Sequence, residues 1–177
     1  MSAQPHGHAI VVMGVSGSGK TTVAERLAGQ LGWTFVEGDS LHPPANVEKM
    51  RAGVPLTDSD RGPWLDRIGE TLKDWALHSR SGVMTCSALK RAYRDRIRAA
   101  RPDVSIVYLK GSEALIGARV SARHHEYMPS SLLHSQFETL EEPGPDEGVV
   151  TVDAGESVDA EVLAIVAALD LAGGRQA

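Results

Sequence analysis

The chain alternates short apolar runs with longer stretches whose apolar positions recur every three or four residues. Residues 9–14 open on Ala9-Ile10-Val11-Val12-Met13, an uninterrupted apolar run that predicts a buried strand. Residues 20–31 then carry apolar positions at helical spacing, and Gly32 suits the end of that helix. Thr34-Phe35-Val36 predicts a short second strand. Residues 40–80 are more polar and read as mainly helical. Pro63 beside Trp64 predicts a helix over 63–79, because proline is favoured in a first turn. In that helix Trp64, Leu65, Ile68, Leu72, Trp75 and Ala76 fall toward a core.

A third strand is predicted over 82–86, followed by a basic helix carrying Lys90, Arg91, Arg94, Arg96 and Arg98. A fourth strand covers 104–109, and helices cover about 112–123 and 131–140 with the polar stretch 124–131 between them. A Pro/Gly turn region at 141–148 leads to a fifth strand at 149–152 and a closing helix at about 157–172. Residues 1–8 and 173–177 read as flexible ends. Strands alternating with helices predict an α/β fold, with a parallel sheet covered on both faces in three layers. In such sheets ligands bind at the carboxyl ends of the strands. The stretch 40–80 is then a long helical insertion beside that end.

Composition narrows the class. At 177 residues the chain is read as one domain, and its 42% hydrophobic and 23% charged residues are ordinary for a globular protein. A net charge of −5 with no long basic run argues against nucleic acid as the main partner. No apolar stretch approaches a membrane span, and residues 1–8 lack the apolar core of a signal peptide. One cysteine, Cys86, leaves no internal disulfide framework and suits a reducing cytoplasm; on a predicted strand it reads as core.

The chemistry concentrates at one turn. Gly14-Val15-Ser16-Gly17-Ser18-Gly19-Lys20-Thr21 matches G-x-x-x-x-G-K-[ST] and lies between a predicted strand and a predicted helix. Backbone N–H groups of such a turn, with the first helical turn through Thr22, bind phosphate oxygens. Gly14, Gly17 and Gly19 supply the backbone freedom. Lys20 reaches the β- and γ-phosphates and the Thr21 hydroxyl ligates Mg2+, which makes ATP and Mg2+ the expected cofactors.

The loop alone does not separate a kinase from a switch GTPase or an ATPase. An N-K-x-D guanine reader is absent, since the only asparagine is Asn46, followed by Val47. The third strand ends in Cys86-Ser87 and not in an acidic pair. With the insertion and an Arg-bearing segment before the last strand, the layout resembles the small-molecule kinases of the adenylate and shikimate type.

Within that group the blocks match one family. Met13 to Thr21, Glu37-Gly38-Asp39-Ser40-Leu41-His42-Pro43, Asn46 to Met50 and Gly53-Val54-Pro55-Leu56-Thr57-Asp58 resemble gluconokinase. So do Asp60-Arg61-Gly62-Pro63-Trp64-Leu65, Cys86-Ser87-Ala88-Leu89-Lys90, Tyr93-Arg94-Asp95, Tyr108-Leu109-Lys110-Gly111 and Ser135 to Glu141. The resemblance runs in order from about 9 to 145. It implies ATP-dependent phosphorylation of D-gluconate to 6-phosphogluconate, and a homodimer. The chain departs from the family where it has Glu37 for the usual first Asp of Asp-Gly-Asp, and Glu126 where many members have His.

The expected roles follow. Asp39, just past the second strand, orients and deprotonates the C6 hydroxyl of gluconate. Glu37 holds a water of the Mg2+ shell. An anionic polyol needs a cation for its carboxylate, and the resemblance offers Lys49, Arg61, Lys90 and Arg94, with His42, Ser87 and Gln136 for hydroxyls. Arg119 and Arg123 flank a lid at about 119–133 and lie over adenine or neutralise the transferring phosphoryl group. Each residue also has a bland reading, as a cap, a surface ion pair or core. A kinase for another small acceptor, or a nucleotide switch without transfer, are the competing functions.

Overall fold

A computed structural model describes residues 7–122 and 130–171. The element order is β1 (Ala9–Met13), α1 (Lys20–Leu31), β2 (Thr34–Val36), a 3-10 turn (Gly38–Leu41), α2 (Pro44–Arg51), α3 (Asp58–Leu77) and β3 (Gly82–Thr85). There follow α4 (Arg91–Ala100), β4 (Ser105–Lys110), α5 (Glu113–Ala122), α6 (Ser130–Thr139), a second 3-10 turn (Pro145–Glu147), β5 (Val150–Asp153) and α7 (Val158–Ala168). The five strands form one parallel sheet in the order β2-β3-β1-β4-β5. Among the described residues no helix is long and apolar enough to cross a membrane.

The central place of β1 explains its composition. With β3 and β4 on its two edges and helices on both faces, all five of its residues are buried. Val11 and Met13 point to a core shared with Trp64, Ile68 and Leu72 of α3 and Ile97 of α4. Ile10 and Val12 point to the opposite core, with Val23 and Leu27 of α1 and Val162 and Ile165 of α7. Helix α1 ends where Gly32 turns left-handed at φ +69°.

Helix α3 begins five residues before Pro63, at Asp58. Thr57 and Asp60 form a reciprocal capping box: the Thr57 hydroxyl accepts from the Asp60 N–H while the Asp60 carboxylate accepts from the Thr57 N–H. This cap outweighs the proline signal, so Pro63 sits inside the helix and forgoes one backbone bond. Its buried residues include the expected Trp64, Leu65, Ile68, Leu72 and Trp75, whereas Ala76 is half-buried.

At the end of β2 the chain passes very close to β3. A Cβ on Gly38 would lie 1.8 Å from the Thr85 carbonyl oxygen, so no other residue fits there without moving the backbone. This contact fixes the start of the 3-10 turn that carries Asp39.

Helix α7 holds an unusual carboxylate. Glu161 is buried, and desolvation pushes its pKa up to about 7, opposed by the Arg119 charge. A carboxyl whose pKa is raised by folding weakens the fold as pH climbs from its unfolded value through the folded one. Glu161→Gln is therefore expected to raise the midpoint of thermal unfolding at pH 8, by up to roughly 3 kcal/mol of stability, and to leave it unchanged at pH 4. Melting curves at the two pH values check this.

Candidate active site

The phosphate loop is built as its residue types demand. Gly14, Gly17 and Gly19 take φ of +149°, +82° and +95°. At Gly17 a Cβ would also strike Val120 Cγ2 of α5 at 2.5 Å, so the loop is closed over by that helix. Val15 is buried, its carbonyl accepts from Ser18 N at 3.2 Å and from Lys20 Nζ at 3.0 Å, and Gly14 N donates to the Ser87 carbonyl at 3.3 Å. Burial lowers the Lys20 pKa, and the charges of Asp39, then Glu37, oppose that shift. The Ser18 hydroxyl is buried, with no hydrogen-bond partner among the described residues. Thr21 and Thr22 are exposed on the first turn of α1.

Two carboxylates come from the end of β2. Glu37 Oε2 accepts from Thr21 Oγ1 at 2.5 Å, and Glu37 Oε1 accepts from Thr85 Oγ1. Asp39 is exposed and faces a cavity beside Lys20. His42, buried, stacks on Trp64 with centroids 4.2 Å apart, and Trp64 Nε1 donates to the Gly38 carbonyl at 2.9 Å. Asn46 Nδ2 lies 3.2 Å from His42 Nδ1 and 2.8 Å from the Asp60 carbonyl. As donor to Nδ1 it leaves the ring proton on Nε2, which lies 3.9 Å from Asp39 Oδ1. Burial lowers the His42 pKa, with Asp39 opposing, so the ring is neutral at physiological pH.

The cavity gathers Ser16, Lys20, Asp39, His42, Arg61, Ser87 and Gln136. Gln136, on α6, grips the loop: its Oε1 accepts from Ser16 N at 2.7 Å and its Nε2 donates to Ser16 Oγ at 3.1 Å. Arg61 is half-buried, with Nη1 donating to the Leu56 carbonyl at 2.8 Å and to Tyr93 Oη at 3.3 Å. Among the described residues no carboxylate lies within ion-pair distance of it.

The other expected cations are placed elsewhere. Lys49 holds both oxygens of Asp60, at 3.0 and 2.8 Å, and keeps that carboxyl down at about 2. Lys90 pairs with Asp58 at 2.9 Å on the surface. Neither lines the cavity. Arg94 corrects the sequence reading outright. It is fully buried, forks onto Glu147 at 2.7 and 3.0 Å and donates to the Ala88 and Leu89 carbonyls, so it holds α4 to the turn before β5 and cannot meet a substrate. Arg119 is half-buried in the last turn of α5, with Glu161 as a charge neighbour. Arg123 and most of the proposed lid, 123–129, lie outside the described residues. Burial pushes the Cys86 thiol up to about 12, as suits a core residue.

Sequence reasoning missed Thr85, Asn46 and Tyr93 as site-builders. Thr85 carries no motif of its own. Asn46 and Tyr93 each lie in a block that resembles the family, and that was the available signal.

Comparison with known proteins bears on this geometry. Residues 10–143 match a family model described as an AAA domain. A gluconokinase of Gluconobacter oxydans (strain 621H) is 50% identical over 150 residues, covering 85% of this chain and 84% of that protein. The chain belongs to the gluconokinase family. A thermoresistant gluconokinase of Escherichia coli (strain K12) is 43% identical over 168 residues, covering 94% of this chain and 96% of its own. The crystal structure of a gluconokinase from Sinorhizobium meliloti 1021 superposes with a TM-score of 0.85 at 46% identity, over 95% of this chain and 94% of that one. The gluconokinase match thus spans the sheet, the phosphate loop and the helical insertion together, and the protein is an ATP-using kinase of the phosphate-loop fold.

Proposed function

We propose that this chain transfers the γ-phosphoryl group of ATP to the C6 hydroxyl of D-gluconate, giving 6-phospho-D-gluconate and ADP by in-line displacement. The observation that carries this reading is the cavity in which Asp39, His42 and Arg61 face the phosphate loop at Lys20. Lys20 and the loop amides of 14–22 bind and neutralise the phosphates. Asp39 accepts the proton of the sugar hydroxyl and aims its oxygen. His42, Ser87 and Gln136 offer hydrogen bonds to the polyol. Arg119 borders the nucleotide, and Arg123, which lies outside the described residues, neutralises the transferring phosphoryl group.

Arg61 is the anchor for the gluconate carboxylate, because Lys49, Lys90 and Arg94 are each committed to an aspartate or glutamate. Its fork binds both carboxylate oxygens, which a lysine cannot reproduce. Arg61→Lys is expected to raise the KM for gluconate about tenfold or more while the KM for ATP holds within about twofold, a difference of roughly 1.4 kcal/mol or more in acceptor binding. Steady-state kinetics with each substrate varied in turn reads this.

Oxygen donors at the end of β2 and at Thr21 suit Mg2+, a hard cation that keeps most of its waters and is shared with substrate phosphates. Thr21 and Glu37 would hold it with its waters, and when bound it would lessen the charge on the phosphates. The resemblance implies a homodimer and the single cysteine suits a reducing cytoplasm; light scattering of the purified chain reads its mass. The test of the reaction is ADP release from Mg-ATP against D-gluconate, other aldonates, shikimate, nucleoside monophosphates and no acceptor. Gluconate-dependent release supports the proposal. Turnover on another acceptor replaces the substrate, and nucleotide binding with no acceptor-stimulated turnover leaves a switch.

A further inference from the structure

The end of β3 is linked to the phosphate loop by a chain of hydroxyls and one carboxylate. Gly38 N donates to Thr85 Oγ1 at 3.0 Å. That hydroxyl has one proton, and it goes to Glu37 Oε1. The second oxygen, Glu37 Oε2, accepts from Thr21 Oγ1 at 2.5 Å. Both hydroxyls therefore donate to the carboxylate, which only accepts, and the buried one pins its Oε1 so that Oε2 is held toward Thr21. Thr85 is 1% exposed and sits where the close approach of Gly38 holds β2 to β3, so the relay starts from a rigid point. The carboxylate that a phosphate-loop enzyme can place at the end of its third strand is absent here, and β2 supplies one instead.

Both Glu37 oxygens are occupied by hydroxyls of the chain. A threonine hydroxyl that gives its proton to a carboxylate turns its lone pairs away from it, and it becomes a better donor to a cation. We propose that Thr85 is a positioning residue: acting through Glu37, it sets the Thr21 hydroxyl as a ligand for the magnesium ion of the bound nucleotide. In this arrangement Glu37 works by orienting Thr21. The inference rests on the phosphate loop as a nucleotide site and not on the identity of the acceptor.

The test is calorimetric binding of ADP to the full chain, once with excess Mg2+ and once with EDTA. Thr85→Val removes the hydroxyl and keeps the shape. It is expected to weaken ADP binding with Mg2+ about tenfold, the lower end of what loss of an outer partner costs a metal site, and to leave binding in EDTA within about twofold. Thr85→Ser keeps the relay and is expected to match the native chain. Equal losses with and without Mg2+, no loss at all, or a Thr85→Ser variant as weak as Thr85→Val would overturn the proposal. Should Thr85→Val fail to fold, as read by near-ultraviolet circular dichroism, Thr85→Ala carries the same test, since it removes the hydroxyl and leaves Glu37 in place. A loss confined to the Mg2+ arm supports the relay, and any other pattern rejects it. No arm contains gluconate, so failure of the gluconate reading leaves the outcome intact.

Discussion

Asp39→Asn is expected to lower gluconate-dependent ADP release by about 10²- to 10⁴-fold, the range that a positioned base contributes. Asparagine keeps the size of the side chain and removes its ability to take a proton. Asp39 is the exposed carboxylate of the cavity, whereas Glu37 does not line it. The loss should fall on kcat and on kcat/KM alike, since the interaction is made in the transition state. Nucleotide affinity should stay within a few-fold, because the loop amides and Lys20 are untouched. Stopped assays with the purified variant, beside calorimetric binding of ADP, measure both. A variant that turns over within about fivefold of the native rate would place the base elsewhere.

Arg94→Ala should destabilise the fold by about 3–5 kcal/mol, the cost of leaving a buried charge without its partner. The partner, Glu147, is 2% exposed at its side chain and accepts both guanidinium bonds. For a chain of this length that corresponds to a drop of roughly 6–20 °C in the unfolding midpoint. The pair also gives a pH signature. Hydrogen bonds from Arg94, chiefly, hold the Glu147 carboxyl below its ordinary 4.5. A depressed folded pKa contributes stability that is complete above 4.5 and is lost as pH falls through the lower, folded value. Native and variant melting curves should therefore converge progressively as the pH drops below 4.5. Parallel curves at every pH would mean that Arg94 acts by packing alone.

The same residue shows where sequence reasoning ran out. Arg94 lies in a basic helix within a block shared with the gluconokinase family, and both facts point to an anionic ligand. What decides its role is Glu147, fifty-three residues later in a Pro/Gly turn whose sequence gives no hint of a partner. Long-range pairing of this kind has no local pattern. By contrast the strands and the loop were legible, because buried strands need continuous apolar residues and the phosphate turn needs glycines at fixed positions. Gly38 was legible only as part of a block, since its reason for being glycine is a carbonyl on a strand nearly fifty residues away. The start of α3 was misplaced because a proline was weighed as a beginning, while Thr57 and Asp60 form a stronger one. Lys49 and Lys90 are candidates through the blocks they lie in, and each has a carboxylate on α3 that no local pattern shows.

The sheet order has a consequence for the newly made chain. β1 is made well before both of its neighbours, β3 and β4, which arrive only with residues 82–85 and 105–110. At about 5–20 residues per second, its five apolar side chains wait on the order of 5–20 s for both partners. Until both arrive, the strand that leads into the phosphate loop has an apolar surface and two unpaired edges open to other contacts. Slow codons between β1 and β4 would lengthen that exposure.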